Sequence, residues 1–127
     1  MNQSSAGPEA LPPQIRLRLQ DLLDQAGKAQ RLVARGRAAY DGDEMLRLAA
    51  ESLLIRMGAC VERIDKTDSG FVAGHPDLEL RQVKDTRNLL AHGYDIVDYA
   101  LVWSILESNI PVVADKVRRV LDATPTA

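Results

Sequence analysis

Between Ile15 and Val33 the apolar residues fall at steps of three, four and seven, as Ile15, Leu19, Leu22, Leu23, Ala26 and Val33. This is the period of one helix face. A strand cannot carry it, because successive strand residues point to opposite sides. Arg16, Arg18, Asp21, Asp24, Lys28 and Arg31 take much of the remaining surface. The same period returns in Leu46, Ala50, Leu53, Met57, Cys60 or Val61, and Ile64, and a third helical segment carries Leu78, Val83, Leu89 and Leu90. The period returns again in Val102, Leu106 and Ile110, with Trp103 nearby, and in Val113, Val117, Val120 and Leu121. Aromatics make up only 4% of the chain, so the core must be aliphatic, which suits helix-on-helix packing better than a sandwich of strands.

The punctuation of these stripes divides the chain. Pro12-Pro13 puts a proline where a helix can begin without losing a hydrogen bond. Gly36 and Asp41-Gly42-Asp43 end the first helix, and Asp43 is placed to cap the second. Ala49, Gly58 and Ala59 are small enough to let a neighbouring helix come close. The run 66–76, with Gly70, Gly74 and Pro76, reads as a loop pinned to the core by Phe71. Asp77 is expected to cap a third helix ending near Gly93, and 95–109 reads as a fourth. Pro111 either kinks that helix or starts a fifth. The expected fold is all-α, an up-and-down bundle of four to five helices in one domain over 12–121. Residues 1–11 and 122–127 are expected to be flexible tails.

A formal net charge of −2 is not that of a protein that coats nucleic acid, so any positive charge used on RNA must be local. The one cysteine, Cys60, has no internal disulfide partner and reads as a small buried hydrophobe. The first eleven residues have no apolar run or basic leader, and no stretch has the length of a membrane span. The expected location is the cytoplasm.

Two histidines differ in context. His75 lies in the turn-forming Gly74-His75-Pro76 with no partner at metal-ligand spacing, and reads as a solvated loop residue. His92 lies near the end of the third helix, with Asn88 one turn earlier on the same face. Arg87, five positions before His92, sits roughly 140° around an ideal helix from it, yet a long arginine can swing into the same cleft. Arg81 and Lys84 precede Arg87 at steps of three, so cations partly line this helix. Spacing alone favours a plainer reading, with Lys84 and Arg87 on a solvated face and His92 favoured by the helix C-terminus.

The whole string Arg87-Asn88-Leu89-Leu90-Ala91-His92-Gly93-Tyr94, however, resembles the R-x4-H-x-Y motif of the HEPN superfamily, and most of all its HepT-like branch. That branch contains the toxin half of HepT/MntA toxin–antitoxin pairs. The resemblance extends over roughly residues 13–121: two long first helices, the glycine of Met57-Gly58-Ala59, Asp98, Trp103 and Pro111. It implies a HEPN-like bundle that dimerises through its motif-bearing face and cuts RNA without a metal or other cofactor. Arg87 and His92 would then be the catalytic pair, and Asn88 would orient them. Tyr94 would be the tyrosine to which an MntA-like nucleotidyltransferase antitoxin transfers AMP. Arg81 and Lys84 are further candidates for binding substrate phosphates. The chain departs from many relatives at Gly58-Ala59-Cys60, where they carry glycine–glutamate–alanine, and at Leu80, where they carry tryptophan.

These residue types suit the chemistry. Histidine's ordinary pKa lies near neutrality, so it serves as base or acid, and arginine's fork matches phosphate oxygens. The motif supplies one histidine per chain where the reaction needs two proton transfers, and a two-fold dimer would provide both. Two other readings use the same residues: a non-catalytic HEPN module that binds a nucleotide or its partner protein, and a helical interaction protein in which the string merely closes a helix.

Overall fold

The computed structural model describes residues 10–91 and 96–124. Within them all regular structure is helical apart from a single bridge residue, Leu11. Helix α1 spans Pro13–Val33 and starts, as expected, with proline in its first turn. It buries Ile15, Leu19, Leu22, Ala26, Ala29 and Leu32. Each large aliphatic side chain fully withdrawn from water contributes about 1.5–3 kcal/mol, so this stripe is what holds α1 in place.

The link to the next long helix is not a plain loop. Gly36, at φ +93°, adopts a backbone conformation that side chains disfavour and leads into the short helix α2, Arg37–Gly42. This turn places Tyr40 in the core, against Trp103 with ring centroids 4.9 Å apart. Asp43 then caps α3, Glu44–Thr67, accepting from the Met45 amide at 2.9 Å. Helix α3 runs the length of the bundle and packs against α1 on one side and α5 on the other.

Between α3 and α5 the chain makes the short helix α4, Phe71–Gly74, and a 3-10 turn, Pro76–Leu78. Phe71 is buried there, as its solitary aromatic character suggested. The expected cap at Asp77 is corrected. Asp77 lies inside the 3-10 turn, and Glu79 at φ 60° breaks the path, so α5 begins at Leu80 and spans Leu80–Ala91. His75 is anchored rather than simply solvated: Nδ1 lies 2.8 Å from the Phe71 carbonyl and the ring stacks on Phe71.

The fourth segment also starts later than expected. Asp98 caps α6, Tyr99–Ser104, by accepting from the Leu101 amide at 3.0 Å. The helix then widens into a π-turn, Ile105–Asn109, and continues without a break as α7, Ile110–Ala123. Here the Ile110 amide bonds back five residues to the Ile105 carbonyl. Of the two expectations for Pro111, a separate fifth helix is not what forms, since the chain stays helical through it. It follows a local widening, which shifts the hydrogen-bond register just where proline has no amide to give. The fold is thus all-α, with α1, α3, α5 and the α6–α7 rod around one aliphatic core. Among the described residues no helix is long and apolar enough to cross a membrane.

Candidate functional site

The site is built at the crossing of α3 and α5. These helices run antiparallel, and Gly58 is buried at their closest point. A Cβ added to Gly58 would overlap Arg87 Cβ and come within 3.2 Å of Arg87 Cα. Glycine is therefore required here by close approach, and the residue it admits is the arginine of the motif. The small-residue reading of Gly58 is met in this specific way.

Buried Leu80 and Val83 seat α5 on the core, with Leu90 partly buried against it. Arg87, on the flank, retains 29% of its side-chain exposure. Its Nη1 lies 3.1 Å from Glu62 Oε1, while Nε is buried with no described acceptor. Asn88 is half-buried. Its Oδ1 is 3.5 Å from the same Nη1, too long to fix the guanidinium's orientation.

One turn nearer the start of α5, Lys84 donates to Asp65 Oδ2 at 2.7 Å. Lys84 also lines a shallow cavity of about 190 Å³ with Arg81, Asp65, Ser69, Val72 and Ala73. Arg81 is exposed and lies about 9 Å along the helix axis from Arg87. The structure thus brings Arg81 and Lys84 together, but around a different group of residues from Arg87. His92 and Tyr94 lie outside the described residues.

Glu62 and Asp65 were not singled out by sequence reasoning. Both look like ordinary surface acids of α3, and only the antiparallel register of α3 and α5 puts them opposite Arg87 and Lys84. The available signal was their spacing of three, matching the spacing from Lys84 to Arg87. The carboxylate that reaches Arg87 comes from Glu62, a turn after Gly58.

Tyr99, the next tyrosine after Tyr94 in the sequence, is occupied structurally. Its hydroxyl donates to Glu51 at 2.6 Å, which raises its pKa, and its carbonyl accepts from Tyr40 at 2.7 Å. On the far side of α5, Thr86, Leu90, Ile96, Val97, Leu101 and Ile105 line a mainly apolar groove of about 240 Å³.

Compared with known protein families, the chain matches Ribonuclease HepT-like over residues 22–120. No match was found among curated proteins or solved structures. The matched stretch takes in the latter part of α1, the whole α3–α5 crossing with the string 87–94, and most of α7; the chain belongs to the HepT-like ribonuclease family.

Proposed function

We propose that this protein is the toxin of a toxin–antitoxin pair, a metal-independent endoribonuclease that acts as a homodimer. The observation that carries this reading is the family match across the string 87–94, with its arginine seated at the closest approach of two core helices. A rigid seat matters because an arginine clamp contributes to catalysis only as far as it is already aimed at the developing charge.

In the proposed reaction one His92 takes the proton from a ribose 2′-OH. The 2′-oxygen attacks the adjacent phosphorus, and the bond from phosphorus to the 5′-oxygen breaks. The second His92, from the other protomer, protonates the leaving oxygen. The two Arg87 guanidiniums hold the non-bridging oxygens as negative charge develops. The products are a 2′,3′-cyclic phosphate and a 5′-hydroxyl. Asn88 serves to orient His92 rather than Arg87, and Arg81 and Lys84 contact a flanking phosphate. Exposed apolar side chains around the start of α3 and the chain before and into α6 (Met45, Leu48, Ile96 and Leu101) give a second copy something to cover.

Expression of the wild type should arrest growth. Arg87→Ala and His92→Ala should each lower RNA cleavage about 10²–10³-fold and relieve the arrest. Cleavage retained by both variants would remove these residues from the chemistry. No cleavage by well-folded wild type would favour the non-catalytic module.

Neutralisation is assigned to a nucleotidyltransferase antitoxin that transfers AMP from ATP to the Tyr94 hydroxyl: the tyrosine oxygen bonds to the α-phosphorus, the α–β anhydride bond breaks and pyrophosphate leaves. The added phosphodiester would repel RNA from the cleft. Intact mass should rise by one or more AMP groups after treatment with ATP and such a partner, and the increase should vanish in Tyr94→Phe. An increase that persisted would move the acceptor elsewhere.

A further inference from the structure

We propose that Glu62 is a positioning residue for Arg87, the carboxylate that fixes which edge of the guanidinium is turned toward a phosphate. The proposal rests on the reading of Arg87 as the phosphate-binding arginine. A guanidinium on a long stem must be held at two places before its plane is defined. The first is the stem, where the Gly58 backbone lies so close to Arg87 Cβ and Cγ that the side chain has no room to sway toward α3. The second is Nη1, which pairs with Glu62 Oε1 at 3.1 Å.

Both partners are mostly covered, at 29% and 30% exposure, so water screens this pair less than a fully exposed one. No described residue accepts from the buried Nε, and Asn88 is too distant to substitute for Glu62. The neighbouring rung guards the register. Asp65 engages Lys84 at 2.7 Å, which keeps that cation from competing for Glu62. Glu62 and Asp65 thus face Arg87 and Lys84 as two matched rungs across an antiparallel helix pair.

A carboxylate beside a phosphate-binding arginine has two opposed effects. It orients the guanidinium, and it repels the phosphate. Removing it should separate kcat from KM. In a steady-state RNA cleavage assay Glu62→Gln should lower kcat about tenfold or more, with KM unchanged or lower, and Glu62→Asp should recover part of the loss. Asp115→Asn, an exposed acid on α7 paired with Arg119, should leave both constants unchanged. A Glu62→Gln kcat within twofold of wild type, or a raised KM with kcat intact, would overturn the proposal.

A second measurement does not depend on catalysis. The Arg87 Nη1 protons, which Glu62 holds, identified by their loss in Arg87→Lys, should exchange with water at least tenfold faster in Glu62→Gln than in wild type. Unchanged exchange would overturn the positioning role. A wild type that cuts no RNA, with this exchange difference intact, would remove the ribonuclease reading and leave the Glu62–Arg87 arrangement standing.

Discussion

At the scale of single residues, Tyr40 does more than its place in a short connecting helix suggests. Its ring packs on Trp103, and its hydroxyl donates to the Tyr99 carbonyl at 2.7 Å, tying α2 to the start of α6. Burial pushes its pKa up to about 12, since the phenolate would be poorly hydrated there. The native state therefore holds this proton more tightly than the unfolded chain, where tyrosine titrates near 10. The stability linked to it is complete below about pH 10 and is lost as pH rises toward about 12. Urea unfolding across that range should show a falling midpoint, and Tyr40→Phe should flatten part of the fall while costing about 1 kcal/mol at neutral pH for the lost hydrogen bond. A midpoint that held constant to pH 12 would contradict this account. Asp43 could be recognised as a cap from local sequence because its partner is two residues away. Tyr40 could not, because its partners are about sixty residues distant.

At the scale of elements the same contrast decides what could be read in advance. The α1 and α3 stripes were legible because a 3.6-residue period is local, and the structure buries Ile15, Leu19, Leu22, Ala50, Met57 and Ile64 as that period requires. The start of α5 was not. The left-handed Glu79 carries no local marker of the glycine or asparagine kind, so the chain appeared able to enter the helix at Asp77. Nor was the π-turn, since Pro111 announces a missing donor without saying how the helix will absorb it. For the candidate site, the string 87–94 was visible, whereas Glu62 became relevant only through helix register. Gly58 joins the two levels: its small size was legible, but not that Arg87 is what occupies the space. Gly58→Ala should therefore force α3 and α5 apart. The expected cost is about 1–3 kcal/mol, as for overpacking elsewhere in cores, read as a lower Tm. Because the displaced neighbour is Arg87, RNA cleavage should fall more steeply than folded population at a temperature where the variant is still native. A variant with unaltered Tm and full activity would show that the crossing can relax freely.

At the scale of the whole molecule, the decisive question is how many chains make one cleft. The net charge of −2 supplies no overall attraction for RNA, and two of the cations near the site are paired with acids, Arg87 with Glu62 and Lys84 with Asp65. Affinity must then come from a confined arrangement rather than from overall charge. Doubling that arrangement about a two-fold axis gives two arginines and two histidines from a motif that has one of each. The proposed division of labour makes a quantitative demand. If every cleft needs both His92 side chains, mixing wild type with an equal amount of His92→Ala and allowing the protomers to exchange should leave active only dimers with two wild-type chains. For random pairing these are about one quarter of the total, whereas one sufficient histidine per dimer would make about three quarters active. Cleavage measured against the exchanged mixture, with dimerisation followed by sedimentation, separates these outcomes. Activity near one quarter of an all-wild-type sample of equal total concentration supports the shared cleft. A value near one half would mean that each protomer works on its own histidine, and the acid would then have to be another group of the same chain.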